Sequence, residues 1–180
     1  MSNKVVILST SPRKNSNSEA LAEAFAKGAV EAGNNVEMIR MREKNYRFCT
    51  GCFACQKTGK CVIKDDMAEI VPKMEQADVL VFATPIYYYE MSGQMKTLLD
   101  RANPLFVADY RFRDVYFLSS AAEDEEYVPQ RAQSGLEGWI ACFEKARLAG
   151  AVFGGGVTEA GEIEGRPALT EAFEMGRAIL

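Results

Sequence analysis

Short β-branched apolar runs alternate with amphipathic helical patterns along nearly the whole sequence. Such alternation predicts βαβ units, whose right-handed crossovers build a parallel sheet. Residues 78–84 form a continuous apolar run between a leading Asp and a closing Thr, as expected of a parallel strand that is buried on both faces. We therefore predict an α/β fold with a five-stranded parallel sheet and helices on both faces.

Local signals set the predicted boundaries of these elements. Ser16 and Glu19 form a capping-box pattern at the start of the first helix, and Gly33 is placed to end it. Pro72 falls inside the second helical pattern and is expected to kink or shorten that helix. The predicted strands cover residues 4–9, 36–41, 78–84, 115–119 and 151–155, and the predicted helices cover residues 16–33, 66–74, 92–102, 131–149 and 168–179.

Composition excludes several classes of function. A chain of 180 residues, 48% of them hydrophobic, is expected to form one domain over residues 1–180. A net charge of −4 argues against a nucleic-acid partner or an anionic membrane surface. No apolar run is long enough to span a bilayer and the first is too short for a signal peptide, so we expect a cytoplasmic protein. The sequence has no histidine, which excludes Ser-His-Asp and Cys-His nucleophiles and imidazole proton transfer.

Polar side chains crowd the loop after the first predicted strand, directly before a helix N-terminus. Parallel sheets bind ligands at the carboxyl ends of their strands, and free N–H groups at a helix N-terminus attract phosphate. The loop has neither a Walker A nor a Gly-x-Gly-x-x-Gly pattern, so an ordinary capped turn is the alternative. The predicted phosphate-binding residues are Ser9, Ser11, Arg13, Ser16, Asn17 and Ser18.

Two further loops follow predicted strands at the same edge of the sheet. Residues 85–89 contain three consecutive tyrosines, whose rings suit a flat aromatic ligand. Packing at a subunit interface, or a simple surface cluster, would also explain them. Ser119 ends the fourth predicted strand, shortly before the acidic run 123–126, which is typical of a solvated loop.

The cysteines are grouped in a compact C-x2-C-x2-C-x5-C pattern. Zinc usually takes cysteines as two separated pairs, whereas a close triad with one further thiolate is typical of iron–sulfur ligation. Zinc, unmetallated thiols and a redox-active disulfide remain alternatives, although disulfides are rare in the cytoplasm. The isolated Cys142 is predicted to be a buried core residue. The four candidate ligands are Cys49, Cys52, Cys55 and Cys61.

The loop at residues 9–17, Ser-x-Ser-Pro-Arg-x-Asn-Ser-Asn, resembles that of the flavodoxin-like NAD(P)H-dependent FMN reductase family. The resemblance extends through residues 84–88, 91–96 and 159–165, and the cysteine pattern is similar to that of the iron–sulfur flavoprotein branch. It implies a three-layer flavodoxin-like fold with strand order 2-1-3-4-5, FMN with its phosphate in the first loop, and a 4Fe-4S cluster on the four cysteines. The flavin contacts that it implies are Pro85, Ile86, Tyr87 and Tyr88, with Ser119 as a further one.

The resemblance also implies an activity. A family member would be an FMN-dependent NAD(P)H oxidoreductase that passes electrons to a flavin, a quinone or another small acceptor, or through the cluster to an electron-transfer protein. The flavin performs this chemistry, so no catalytic side chain is predicted. The alternatives are a non-enzymatic FMN electron carrier and a redox- or metal-sensing binding protein. The family's habit implies a homodimer or homotetramer.

Overall fold

Strands and helices alternate through residues 2–180, which the computed structural model describes. The strands are β1 (Lys4–Ser9), β2 (Asn35–Arg40), β3 (Val79–Tyr87), β4 (Glu90–Met91), β5 (Asp114–Ser120) and β6 (Arg147–Gly154). The helices are α1 (Asn17–Glu31), α2 (Ala54–Thr58), α3 (Met67–Glu75), α4 (Gly93–Arg101), α5 (Gln130–Ile140) and α6 (Pro167–Arg177).

Five of the strands are parallel and hydrogen-bonded in the order β2-β1-β3-β5-β6. The predicted order 2-1-3-4-5 is therefore confirmed. The sheet also has a sixth strand that was not predicted, because β4 pairs antiparallel with the end of β3, with Tyr87 opposite Glu90. β3 consequently runs to Tyr87, three residues beyond its predicted end at Thr84, and the chain reverses in a hairpin.

Apolar side chains form a separate core on each face of the sheet, because successive residues of a strand point to opposite faces. On one face, Phe25 of α1 and Ala172 of α6 are completely buried against the strands. On the other face, the buried side chains include Met74 of α3, Leu98 of α4 and Leu136 of α5. Both faces of the sheet are thus covered, and the loops at the carboxyl ends of the strands remain open to ligands.

Helices α1 and α6 approach each other closely at two glycines. A methyl group at Gly28 would overlap the carbonyl group of Phe173, and one at Gly176 would overlap the carbonyl group of Phe25. The two helices therefore pack backbone against backbone. Because α1 begins at the predicted phosphate loop, this contact also fixes the helix that ends that loop.

The region after β5 departs from its predicted boundaries. The helix predicted to reach residue 149 ends at Ile140, and residues 147–149 belong to β6. The backbone N–H of Arg147 donates to the carbonyl of Arg113, and Leu148 is the register partner of Val115. Pairing with β5 therefore overrides the local helical pattern, as tertiary contacts commonly do.

The helices of residues 2–180 are short. The longest, α1, has 15 residues, and none is long and apolar enough to cross a membrane. α3 has nine residues and ends three positions after Pro72. The five-residue helix α2, inside the cysteine-rich loop, was not predicted.

Candidate functional site

The loop between β1 and α1 turns tightly around a group of buried hydroxyls. Ser11, Ser16 and Ser18 are at most 2% exposed, whereas Arg13 is exposed. Ser16 caps α1, because its Oγ accepts the N–H of Glu19 at 3.2 Å, and the same Oγ lies 3.4 Å from the Oγ of Ser18. The predicted Ser16 cap is therefore confirmed. Within residues 2–180 the second half of the capping box does not form, because the Glu19 carboxylate accepts hydrogen bonds from Arg40 and Arg42 instead.

Several donors in this loop have no acceptor within residues 2–180. In the chain from residue 2 onward, the Oγ of Ser9 is buried without a hydrogen-bond partner. Asn15 has a φ of +53°, a left-handed conformation that turns successive N–H groups toward a common point. The backbone N–H groups that make no hydrogen bond to another part of residues 2–180 include those of Asn15, Ser16, Asn17 and Ser18. These donors, together with the positive end of the α1 dipole, suit an anion.

Asn17 has a second task that the sequence did not indicate. Its Nδ2 donates to the carbonyl of Glu159 at 2.9 Å, and its Oδ1 accepts the N–H of Ile163 at 3.3 Å. The side-chain amide therefore ties the loop to the segment before α6. What Asn17 can still offer to a ligand is its backbone N–H.

A buried hydroxyl network connects the loop to the neighbouring strand, and sequence reasoning missed it. The Oγ1 of Thr10 donates to the carbonyl of Ala83 at 2.9 Å. Ser92 Oγ lies within hydrogen-bond distance of the Oγ1 atoms of both Thr10 and Thr84, and it also caps α4 by accepting the N–H of Met95. Three completely buried hydroxyls thus hold the loop in register with β3 and α4.

The tyrosine-rich segment forms one wall of a cavity at the same edge of the sheet. Tyr88 and Tyr89 have φ values of +51° and +66°, and they are the two central residues of the β3–β4 hairpin. Left-handed backbone at two consecutive tyrosines is strained, and such strain concentrates at functional sites. The cavity has a volume of about 290 Å³, and it is lined by Ile86, Tyr87, Tyr88, Tyr89, Ala121, Ala122, Glu123 and Val128.

Two predicted flavin contacts lie outside the lining of this cavity. Pro85 lies within β3, one residue before the first lining residue, and Ser119 is completely buried in β5. The Oγ of Ser119 makes no hydrogen bond to any part of the chain that the structure describes. Pro85 and Ser119 therefore lie behind the cavity wall, whereas Ile86, Tyr87 and Tyr88 face the cavity.

A hydrogen bond between Tyr89 and Glu123 closes one side of the cavity. The Tyr89 hydroxyl donates to the Glu123 carboxylate, whose oxygens lie at 2.9 and 3.1 Å. This bond, with the charge of Glu123, raises the pKa of Tyr89 to about 12. The Tyr89 ring also stacks on Tyr127 with 6.1 Å between centroids. Glu123 is therefore part of the cavity wall, which the acidic run alone did not indicate.

The four clustered cysteines line a second cavity, of about 380 Å³, and Cys142 lines it with them. Cys49 and Cys52 are exposed, Cys61 is half-buried, and Cys55 is buried and accepts a hydrogen bond from Asn103 Nδ2. Hydrogen bonds from the Ala54 N–H and the Thr50 side chain lower the pKa of the Cys52 thiol. The cavity wall is otherwise largely apolar.

The placement of Cys142 corrects the prediction that it is a buried core residue. Cys142 is exposed, because α5 ends at Ile140 and the chain turns there. The adjacent Phe143 fills the core instead and is 4% exposed. The fifth cysteine consequently belongs to the wall of the cysteine cavity.

The donor set of the cysteine cavity suits an iron–sulfur centre. Its four clustered cysteines supply the kind of ligand that such a cluster takes, and the rest of the wall is largely apolar. Across residues 2–180, no three Cys, Asp or Glu side chains are arranged to hold a single metal ion.

Sequence comparison identifies a family and several relatives of the chain. Residues 3–141 match the family described as NADPH-dependent FMN reductase. The chain is 38% identical over 101 residues to an iron-sulfur flavoprotein of Archaeoglobus fulgidus, covering 56% of this chain and 46% of that protein. It is also 38% identical over 102 residues to an iron-sulfur flavoprotein of Methanocaldococcus jannaschii, covering 57% of this chain and 53% of that protein. The chain thus spans about half the length of these curated relatives.

A solved structure matches over nearly the whole chain. The NAD(P)H:quinone oxidoreductase from Methanothermobacter marburgensis superposes with a TM-score of 0.77, covering 98% of this chain and 96% of that one at 22% identity. This likeness confirms the predicted flavodoxin-like fold, and the similarity to iron-sulfur flavoproteins confirms the resemblance seen in the motifs. By the match over residues 3–141, the chain belongs to the NADPH-dependent FMN reductase family.

Proposed function

We propose that this protein is an FMN-dependent NAD(P)H oxidoreductase that carries a 4Fe-4S cluster in its cysteine-rich loop. The observation that carries the proposal is the position of the donor loop relative to the tyrosine-walled cavity. A loop of unpaired N–H and hydroxyl donors and a tyrosine-walled cavity follow neighbouring strands at one edge of the sheet. The phosphate of one flavin mononucleotide matches the donors of the loop, and its ring matches the aromatic wall of the cavity.

The phosphate loop would hold the anionic end of FMN. Ser11, Ser16 and Ser18 offer hydroxyls, Arg13 offers an exposed guanidinium that can fold over the phosphate, and Asn17 offers its backbone N–H. Charge-assisted hydrogen bonds of this kind are shorter and stronger than neutral ones. Ser9 adds the buried hydroxyl that lacks a partner in residues 2–180.

The hairpin would hold the ring. Ile86, Tyr87 and Tyr88 border it, with Pro85 and Ser119 supporting it from the sheet. When bound, FMN would accept a hydride from a reduced nicotinamide and pass the electrons on to an acceptor. The protein's part is to fix the ring, limit access of water, and leave one face open. No histidine is present, so no imidazole moves a proton there, and we assign no catalytic side chain.

Cys49, Cys52, Cys55 and Cys61 would hold the cluster, which supplies one-electron transfer when it is bound. Thiolates are the ligands that iron–sulfur centres require, and the lowered pKa of Cys52 favours that form. The acceptor would be a flavin, a quinone or another small molecule, or an electron-transfer protein. We further propose that the protein is cytoplasmic, since five free thiols suit a reducing compartment. We also propose that this one domain forms a homodimer or homotetramer, as the family resemblance implies.

The test begins with protein purified without oxygen. We expect one FMN per chain, with about four irons and four sulfides, from assays on one sample. Steady-state oxidation of NADH and NADPH is then measured with added FMN, menadione or ferricyanide. Turnover with at least one acceptor supports an enzyme. Bound FMN without nicotinamide oxidation indicates an electron carrier, and protein that takes up neither FMN nor iron indicates a sensor or binding protein.

A further inference from the structure

Arg101 has the largest fully buried side chain among residues 2–180, and it is not one of the residues assigned to the flavin site. Arg101 ends α4, and its side chain is 0% exposed. Its Nη1 and Nη2 donate to both oxygens of Asp65 at 2.7 and 2.8 Å, and Nη1 also donates to the carbonyl of Arg47 at 2.6 Å. The Asp65 side chain is itself only 4% exposed, so the two charged groups are largely removed from water.

These bonds close the base of the segment that carries the four cysteines, residues 48–64. Arg47 immediately precedes that segment and Asp65 immediately follows it. Asp65 also accepts the backbone N–H of Arg47 at 3.0 Å, so the two ends are joined directly as well as through Arg101. Arg101 therefore fixes where the cysteine segment leaves and re-enters the fold.

One donor of Arg101 is unused. Among the residues that the structure describes, its Nε is buried and has no hydrogen-bond partner. A buried donor without an acceptor costs free energy, so such an atom in a stable protein calls for an acceptor from elsewhere. Hydrogen bonds to Asp65 raise the pKa of Arg101 most, and burial opposes them, so the buried guanidinium keeps its positive charge.

We infer that Arg101 is a positioning residue for the iron–sulfur centre: it holds the base of the cysteine segment, where it keeps a buried positive charge and one unused N–H group. The inference rests on the cluster in the proposed function. Hydrogen bonds to the sulfurs and nearby positive charge are among the factors that set the reduction potential of a cluster. Both favour the reduced form, which carries one more negative charge, so Arg101 raises the potential.

The experiment compares anaerobically reconstituted wild type with Arg101→Gln and Arg101→Lys. Iron, sulfide and FMN are assayed per chain, and the potential of the iron centre is measured by redox titration followed by EPR. Lys96→Gln is the matched control, because it removes a positive charge from the same helix at a side chain that is 61% exposed and paired to Asp100.

In Arg101→Gln we expect FMN to be retained. At a fixed applied potential, the ratio of reduced to oxidised iron centre should fall about tenfold, which corresponds to a decrease of ~59 mV in its one-electron reduction potential. Arg101→Lys keeps the charge but loses the planar fork, so its shift should be smaller. Loss of iron with FMN retained also supports the inference, since the segment then fails to present its thiolates. Lys96→Gln should match wild type.

Arg101 variants with wild-type iron content and potential would overturn this inference and leave the proposed function intact. Wild type that binds FMN but no iron would overturn the cluster and this inference together. If Arg101→Gln loses FMN as well as iron, its fold is damaged. The iron content and reduction potential of Arg101→Lys then decide whether the inference holds. Equal shifts in Arg101→Gln and Lys96→Gln would also overturn it, because they would reflect net charge alone.

Discussion

The phosphate loop and the cysteine segment both lie after strands of the same sheet, yet they are built in different ways. In the phosphate loop, Ser11, Ser16 and Ser18 are nearly inaccessible, and Thr10 hydrogen-bonds to β3. In residues 48–64, by contrast, the large side chains Phe48 and Phe53 are 79% and 60% exposed. The first region is organised by the sheet itself, whereas the second is anchored mainly at its base.

This difference has consequences for ligand binding. Donors held by buried hydrogen bonds lose little freedom when a ligand arrives, which favours affinity. A segment that is anchored at its base needs its own ligand to order its tip, as metal-binding loops commonly do. We therefore expect FMN binding to be independent of the cysteines, and the iron centre to be the more fragile of the two. The predictions below test that independence.

Replacing one thiolate should have the largest effect. In Cys52→Ser, the hydroxyl is a poor iron ligand, so we expect loss of about four irons and four sulfides per chain. FMN should remain at one per chain, because Cys52 and the tyrosines line different cavities. Iron, sulfide and flavin assays on anaerobic protein provide the measurement. Cys142→Ser is the control, and it should keep both groups. Loss of FMN together with iron would show that the two regions are coupled.

Removing two donors from the phosphate loop should have the next largest effect. Charge-assisted hydrogen bonds contribute about 1.5–3 kcal/mol each, so Arg13→Ala with Ser16→Ala should weaken FMN binding by roughly a hundredfold or more. The Ser16 change also removes the α1 cap, at about 1 kcal/mol of stability. Fluorescence titration of apoprotein with FMN measures the affinity. Lys14→Ala, an exposed neighbour, serves for comparison. Unchanged FMN affinity in the double variant would contradict the placement of the phosphate.

Loss of the Tyr89 hydroxyl should have a smaller effect. In Tyr89→Phe the bond to Glu123 disappears while the ring remains, so one side of the tyrosine cavity loses its closure. Because this contact is exposed, the decrease in FMN affinity should be well below that of the phosphate-loop variant. The same titration measures it, with Tyr127→Phe as the control that keeps the hydrogen bond. A loss of FMN affinity as large as that of the double variant would indicate that the main FMN contacts lie in the β3–β4 hairpin and not in the phosphate loop.

The smallest expected effect is a loosening of the cysteine segment in acid. Burial tends to raise the pKa of Asp65, but hydrogen bonds from Arg101 and from the N–H groups of Arg47 and Met67 outweigh it, so the pKa is lowered. A lowered pKa stabilises the fold above the unfolded value of about 3.9, and that stability is lost as pH falls through the folded pKa. Hydrogen exchange of residues 47–66, corrected for intrinsic rates, should therefore increase below about pH 4. In Asp65→Asn this pH dependence should vanish.

Much of the fold followed from local patterns. Hydrophobic runs and the Ser16 cap located β1 and α1, and the apolar run at residues 78–84 located the centre of β3. Such signals involve neighbours in sequence, so they survive folding unchanged. The strand at Arg147 could not be predicted, because it depends on pairing with β5. The exposure of Cys142 could not be predicted either, because it follows from the end of α5 at Ile140.

By itself, the sequence determined the kind of chemistry available: a chain without histidine, with a hydroxyl-rich loop before a helix and four closely spaced thiols. Only the tertiary structure decided which residues meet. Arg101 reaches Arg47, 54 positions earlier, because the fold places the end of α4 beside the loop after β2. Tyr89 reaches Glu123, 34 positions later, because the crossover brings the ends of β3 and β5 to one edge. Periodicity and capping report on residues within a few positions of each other, whereas these contacts arise from the order of strands in the sheet.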